Sequence, residues 1–465
     1  MGWTLRGNAR GSKWLIFAIS RENPSKSLGS AVSDPAAAQL EYAAGTLAFA
    51  SNDMLWDSLQ MPRLLRRALA TSRWPPEKMR EQQWRRFRRL LLHAYTNVPM
   101  YRDLYDRHGF HPRDVRGLHD LSRVPIVDKG LLQSSAAETV VARGVRLDRC
   151  RTVCTSGSTG SPLRIYLNAA DQRWQRVTAW RILFEQGYRW TDRTMEIRMI
   201  TGDRHFVQSL GVAPKDWLSL MDPPSSWASH LLATKPEVIV AGASTLAALA
   251  KALQDRTLSH PPRLVISDSE TLAPPTRELI RRRLGTDPVD VFGLVELSNF
   301  AWQCEERRGF HVSADSHIVE IEGACGPMIV TDLGMTGMPM IRYDTGDHAE
   351  FDSAVCACGR SLPLLRHIHG RAVDSITLPS GRRLFWPFFH EILGRFPEIR
   401  QWRVVANPGH SVRVQLVADA TALPAIRHAL ELTVSEPIAL VIEPVQAITW
   451  RPGEKQRLVV TEAAP

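Results

Sequence analysis

Between Glu237 and Gly293 the chain repeats one pattern twice, and this stretch most restricts what it can fold into. Val238-Ile239-Val240-Ala241 is a short apolar run ending in Gly242. Ser244 can cap a helix through Leu246, Leu249, Ala250 and Leu253. A second apolar run, Leu264-Val265-Ile266, ends in Ser267-Asp268-Ser269-Glu270. Pro274-Pro275 starts another helix through Leu279, Ile280 and Leu284, and Gly285 stops it. Val289-Asp290-Val291-Phe292 is a third strand, ending at Gly293. Strands this apolar, separated by helices, predict parallel neighbours buried on both faces. In open sheets of that kind ligands bind beyond the carboxyl ends of the strands. Glu270 and Glu296 both fall just past such ends.

Upstream, Cys154-Thr155-Ser156-Gly157-Ser158-Thr159-Gly160-Ser161-Pro162 lies between an apolar run (Thr152-Val153-Cys154) and an alternating one (Leu163 to Leu167). This reads as strand, glycine loop, strand. Glycines let a backbone turn its N–H groups toward an anion, and hydroxyls add donors. The loop fits a phosphate cradle, and it fits a solvated hairpin turn equally well. It is not a Walker A element, because no Gly-Lys-Ser/Thr follows.

At 465 residues the chain exceeds one ordinary core, and two or three domains are expected. The apolar fraction of 44% and charged fraction of 23% are those of a soluble globular protein. No apolar run reaches the roughly 18 residues of a membrane span. Trp14 to Ile19 is short for a signal segment, and the reading places the chain in the cytoplasm. The formal charge of +10 admits a nucleic-acid partner, which ranks last among the readings. Much of the excess lies between Arg63 and Arg89, where Trp84, Phe87, Leu91 and Ala94 recur at helical spacing. Arg85, Arg86, Arg88 and Arg89 then flank a buried stripe as a solvated face. Pro75-Pro76 opens this helix and Asn97-Val98-Pro99 closes it.

Further helices are expected over residues 131–141 and 171–186, and a strand from Met195 to Ile200. From His317 the pattern changes to short alternating strands: 318–321, 328–330 and 340–343, the last ending in a tight turn at Asp344-Thr345-Gly346-Asp347. Residues 375–465 carry their own β and α pattern, with Ala439 to Ile442 as the last strand. Six cysteines are too sparse for a disulfide scaffold in a chain this long. Cys304, His311, Cys356 and Cys358 supply three thiolates and an imidazole, a normal tetrahedral zinc set, although free thiols remain an alternative.

Taken in order, the motifs resemble the adenylate-forming enzymes, and within them the phenylacetate–CoA ligase branch with its CapK-type and coenzyme F390 synthetase-like members. The resemblance covers roughly residues 60–465. It rests on Thr155 to Pro162, Gly293-Leu294-Val295-Glu296, Arg342-Tyr343-Asp344-Thr345-Gly346-Asp347, Cys356-Ala357-Cys358-Gly359-Arg360, Gly370-Arg371-Ala372-Val373-Asp374, and Pro452 to Arg457. It implies an α/β fold: a large domain of mixed and parallel sheets packed by helices, at residues 61–370, and a small mobile α+β domain at 371–465. Residues 1–60 are a poorly constrained extension.

The implied reaction joins a small-molecule carboxylic acid, aryl or other, to AMP at the expense of ATP and then transfers the acyl group to coenzyme A. A carrier protein or amine as acceptor, or a weakened nucleotide-binding scaffold, are the alternatives. The resemblance assigns Ser156, Gly157, Ser158, Thr159 and Gly160 to the phosphates, and Ser269, Glu270, Phe292 and Gly293 to the nucleotide. It assigns Glu296 to Mg²⁺, Asp347 to the ribose hydroxyls, Arg371 to ribose or phosphate, Lys455 to catalysis at the α-phosphate, and Asp374 to the hinge. Zinc in this branch would be structural, and a homodimer is an expectation of the same kind. Two positions depart from the family pattern. Val295 stands where relatives carry Ser or Thr, and Ser161 where they often carry Lys. The acyl pocket is expected between about Trp190 and Asn299, flanked by Trp302.

Overall fold

The computed structural model describes residues 53–155, 162–199, 208, 211–254, 256–371, 375–407, 411–448 and 458–461. Helix α1 (Asp53–Ala70) runs through position 60, where the sequence pattern puts the end of the N-terminal extension. Helix α2 (Pro76–Asn97) has the expected boundaries, with Pro76 in its first turn and Val98 closing it. It buries Met79, Phe87, Leu90, Leu91 and Ala94 and leaves Arg85, Arg88 and Arg89 in solvent. Arg86 departs from the solvated face: it is half-buried, donates to the Asp315 carbonyl at 2.7 Å and lies over the Trp174 ring. The single helix expected over 131–141 is two short ones, Lys129–Ser134 and Ala137–Val140, because Ser135 and Ala136 are extended and the Ser135 hydroxyl returns to the Leu131 carbonyl.

Strands β1 (Arg151–Cys154) and β2 (Arg164–Leu167) form an antiparallel pair. Helix α3 (Ala169–Glu185) follows, capped by Asn168. The parallel half of the main sheet is then built from β3 (Thr194–Arg198), β4 (Lys215–Ser219), helix α4 (Pro224–Thr234), β5 (Val238–Gly242), helix α5 (Ala243–Ala252), β6 (Leu264–Asp268), helix α6 (Pro274–Leu284) and β7 (Val289–Leu294). Every residue of β5 and β6 is buried, as parallel strands covered on both faces require. One face packs on α4, α5 and α6 through Ile239, Ala241, Leu246, Leu249, Val265 and Ile280. The other packs on α3 through Val238, Val240, Leu264, Ile266 and Ile182. Gly285 ends α6 in the left-handed region (φ 76°) and donates to the Arg281 carbonyl, as the sequence leads one to expect.

From β7 the sheet continues antiparallel through β8 (Ser298–Gln303), β9 (Phe310–Val312), β10 (His317–Ile321), β11 (Gly326–Asp332), β12 (Tyr343–Asp352) and β13 (Leu364–Arg371). Among the described residues it has eleven strands, ordered β10-β11-β12-β13-β9-β8-β7-β6-β5-β3-β4. The Asp344-Thr345-Gly346-Asp347 segment, expected as a turn ending a strand, lies inside β12 instead. Gly346 takes φ 73° there, which keeps the strand running through an irregular stretch.

Beyond Ser375, hairpin β14 (Ser375–Thr377) and β15 (Arg383–Phe385) leads to helix α7 (Trp386–Leu393), β16 (Ile399–Asn407), β17 (Ser411–Ala418), helix α8 (Leu423–Val434), β18 (Ala439–Pro444) and β19 (Val459–Thr461). The sequence pattern ends at β18 and does not show β19, which pairs parallel with β16. This part has its own core, including Phe389, Trp402, Val404, Val414, Leu416, Ile426 and Leu430. No helix among the described residues is long and apolar enough to cross a membrane.

Candidate active site and thiol cluster

Glu296 sits in the tight connection from β7 to β8. The Leu297 amide donates to the Leu294 carbonyl at 3.1 Å, and Ser298 takes φ 58°. Any side chain at Gly293 would fall on the Asn299 side chain and the Ser298 carbonyl, so the hairpin closes only over glycine. On the other side, the buried His317 places Nε2 3.0 Å from the Leu297 carbonyl and 3.3 Å from Asp332. Phe292 packs edge-on against Phe300 at 5.6 Å. The connection is therefore fixed from both directions, and Glu296 is buried against Tyr343.

The Tyr343 hydroxyl donates to Glu296 Oε1 at 3.1 Å. Burial, then the Glu296 charge and hydrogen bond, push the phenol far above its ordinary value, and Arg371 opposes them. Asp347 and Arg371 face each other across the β12–β13 pair. One patch thus gathers Glu296, Tyr343 and Arg371, with Asp347 opposite the arginine. Arg342, in the same sequence motif, faces elsewhere. It takes φ 47°, its amide donates to the Thr331 hydroxyl at 2.9 Å, and its guanidinium bonds Glu320 and the carbonyls of Ser122 and Val124. It pins the 118–127 segment against β12, helped by Val127 and Asp344 bonding through their backbones.

At the end of β6, Ser269 takes φ 67° and donates to Asp268 at 3.2 Å. Glu270 is expected at the nucleotide, but its two oxygens accept the Ser244 amide at 2.9 Å and the Ser244 hydroxyl at 2.8 Å. Glu270 is thus the cap of α5, where the free amides of a helix start favour a carboxylate. Ser244 is not the cap residue: that position is Gly242, and Ser244 lies in the first turn.

Ser156, Gly157, Ser158, Thr159, Gly160, Asp374 and Lys455, all expected at the site or its hinge, lie outside the described residues. The base of the glycine loop is described, however. Cys154 pairs with Arg164, the Thr155 amide donates to the Leu163 carbonyl, and the Leu163 amide donates to the Thr155 hydroxyl, both at 3.0 Å. Val295 is 40% exposed, so no buried hydroxyl is replaced there.

Cys304, His311, Cys356 and Cys358 converge, their ligand atoms all within 4.8 Å of one another. Cys304 Sγ lies 3.6 Å from Cys356 Sγ, and Cys358 Sγ 3.3 Å from His311 Nε2. Burial, then neighbouring thiols, raise the Cys304 thiol. Burial and the Arg360 charge hold the His311 imidazole below its ordinary value, in the neutral form that ligates metals. Burial would raise Cys358, but hydrogen bonds from the backbone and side chain of Arg360 bring it below the usual thiol range. Trp302, expected beside the acyl pocket, is fully buried here instead, 5.5 Å from the His311 ring with Arg360 over its face. Its place follows from strand pairing, since Trp302 and His311 are register partners. Cys150 and Cys154 are half-buried and Cys325 is exposed.

Three features escape sequence reasoning. Tyr343 lies within a quoted motif without a role, Arg360 ends another, and the charged row of Glu196, Arg198 and Asp268 gives no periodic signal.

No protein-family model matches the chain. Among curated proteins it is similar to the phenylacetate-coenzyme A ligase of Thermus thermophilus, 29% identical over 349 residues, which span 70% of this chain and 77% of that one. The Escherichia coli phenylacetate-coenzyme A ligase is 26% identical over 379 residues, 75% of this chain and 84% of that protein. Among solved structures, a 2-hydroxyisobutyryl-CoA ligase in the postadenylation state with an acyl-AMP superposes with a TM-score of 0.69 at 20% identity, covering 84% of this chain and 91% of that one. An anthranilate CoA ligase with anthranoyl-AMP gives 0.51 at 18% identity, covering 68% and 67%. The fold is that of these ligases. With the motifs in the same order, the chain is similar to the adenylate-forming enzymes of the phenylacetate–CoA ligase branch.

Proposed function

We propose that this protein activates a carboxylic acid with ATP as an acyl-adenylate, releases pyrophosphate, and transfers the acyl group to the thiol of coenzyme A. The observation that carries the reading is the joining of Glu296, Tyr343 and Arg371, with Asp347 opposite, at the edge of the sheet where β7 ends. The relatives are ligases of this kind, and structural neighbours hold acyl-AMP.

In the first step a carboxylate oxygen attacks the α-phosphorus of ATP, and the bond to pyrophosphate breaks. Charge accumulates on phosphate oxygens, so catalysis consists mainly of positioning and electrostatic stabilisation. Ser156, Ser158, Thr159 and the amides of Gly157 and Gly160 would hold the β- and γ-phosphates. Asp347 would accept the ribose hydroxyls, and Arg371 would steady ribose or phosphate. Lys455 would bring its charge to the α-phosphate and the substrate carboxylate. The module from 371 onward would then turn about Asp374 and carry Lys455 away before the thiol attacks.

Two metals fit the residues present. Glu296 is a carboxylate with one oxygen engaged by Tyr343, leaving the other for a hard cation. Mg²⁺ there would neutralise phosphate charge. The thiol cluster suits zinc, because Zn–S bonds of about 2.3 Å in a tetrahedron put two sulfurs about 3.8 Å apart, close to the 3.6 Å between Cys304 and Cys356. That zinc would be structural, tying β8 and β9 to the loop before β13.

The test is acid-dependent pyrophosphate release from ATP and Mg²⁺ over a panel of organic acids, with and without coenzyme A. Release that needs an acid supports the reading. Intact ATP binding with no release from any acid contradicts it. Release without discharge by coenzyme A would move the acceptor to a carrier protein or amine.

A further inference from the structure

The carboxyl ends of β3, β5 and β6 carry a built row of charges outside the residues assigned above. Glu196 on β3 is the register partner of Val240 on β5, so Arg198, two residues on, stands level with Gly242. Gly242 in turn pairs with Asp268 on β6. Arg198 and Asp268 are therefore two strand spacings apart, about 9–10 Å. They nevertheless meet in a fork, with guanidinium nitrogens 2.6 and 2.7 Å from the two Asp268 oxygens. The contact passes over the end of the strand between them. Arg198 Nε also donates to Glu196 at 2.9 Å, and Lys215 pairs with the other Glu196 oxygen.

Two properties of the row bear on a ligand. Its four charged groups balance, so a second full charge gains nothing from it. Of the five guanidinium N–H groups, three are committed to Glu196 and Asp268 among the described residues. The Arg198 side chain stays 24% exposed. Donors therefore remain at an open face, held rigidly by two carboxylates. The nucleotide is proposed at the ends of β6 and β7, and the acid must bring its carboxylate to the α-phosphate. The neighbouring space along the same edge is the space in front of β5 and β3.

We infer that the acid activated here carries a second, uncharged polar group that accepts hydrogen bonds, such as a hydroxyl or keto oxygen, and that Arg198, oriented by Asp268 and Glu196, receives it. The inference rests on the acid-activation reading. A rigidly held donor that a bound acid shields from water and leaves unpaired penalises the analogue that lacks the acceptor, which is how polar sites discriminate.

The experiment compares matched acids by pyrophosphate release: phenylacetate with 4-hydroxyphenylacetate, benzoate with 4-hydroxybenzoate, and butyrate with 3-hydroxybutyrate. In the pair that reacts best, the hydroxylated acid should have a kcat/KM higher by about tenfold or more. The double variant Arg198→Met/Asp268→Met leaves Glu196 paired with Lys215 and should bring that ratio toward one. Arg198→Lys keeps the charge, removes the fork, and should lower the ratio even if the double variant does not fold. Equal or better use of the unsubstituted acid in every pair, or a ratio unchanged in both variants, overturns the inference while acid activation stands. Release with no acid at all overturns both.

Discussion

The Tyr343 hydroxyl donates to Glu296 Oε1 at 3.1 Å, and both side chains are buried. Glu296 reaches this position from a turn and Tyr343 from the start of β12, elements far apart in sequence. A hydrogen bond to a buried carboxylate is worth about 1.5–3 kcal/mol. It also fixes which oxygen is left to face a metal. Tyr343→Phe should therefore raise the Mg²⁺ concentration needed for half-maximal pyrophosphate release and lower kcat/KM for ATP by roughly 10- to 100-fold. The melting temperature should fall as well, since a buried carboxylate oxygen loses its partner, so the Mg²⁺ requirement is the readout that separates the roles. A lower melting temperature with an unchanged Mg²⁺ requirement would make the tyrosine merely structural. A Mg²⁺ titration at saturating acid separates the outcomes.

The thiol cluster predicts one zinc per chain. Cys356→Ser should abolish bound zinc, measured by elemental analysis of the purified protein. It should lower the melting temperature by several degrees, because metal affinity is folding free energy. Chelator treatment of the wild type should reproduce the shift. Metal-free wild type that melts at the same temperature would contradict this.

Glu270 closes the start of α5 through Ser244, so Glu270→Ala should destabilise the protein by about 1 kcal/mol in denaturant unfolding. Glu270→Gln keeps an acceptor for Ser244 and should cost less. Equal stability of all three forms would remove the capping role.

Where β12 and β13 meet β15, Arg383 donates to His348 Nε2 at 3.1 Å, and the His348 and His369 rings pack on Phe385. Accepting that bond requires a neutral His348. Burial, then the Arg383 charge, hold His348 below its ordinary value, against Asp344. Burial, then His367, do the same to His369, against Glu350. A folded value below the unfolded one, about 6.5, means the unfolded chain binds more protons in that window. The stability held by these rings is then complete above that pH and is lost as the pH falls through the folded values. Melting temperature should drop on acidification from pH 8 to 5, and less steeply in His348→Gln, which keeps an acceptor for Arg383. An identical slope in the variant would dismiss His348 as a contributor.

What the sequence makes legible follows from what burial does to composition. β5, β6 and β7 are apolar because both faces are covered, and their starts stand where the apolar runs begin. Gly285 marks a helix end because only a left-handed residue continues the chain there. β4 escapes notice because Lys215-Asp216-Trp217-Leu218-Ser219 is an edge strand, half-exposed throughout. Partner choice is not legible. Glu270 sits at a strand end, as expected of a ligand-binding residue, yet Ser244, 26 positions earlier, takes both its oxygens. Trp302 falls on the thiol side of the sheet because register, which the sequence does not display, pairs it with His311.

The central claim is an acyl-adenylate intermediate, and single-turnover product analysis addresses it most directly. Enzyme in excess over ATP, mixed with Mg²⁺ and a reacting acid, is quenched and examined by mass spectrometry, then chased with coenzyme A. Acyl-AMP and pyrophosphate are expected in equal amounts before the chase, and AMP with acyl-CoA after it. ADP and phosphate as products, or AMP formed without an acid, would contradict it.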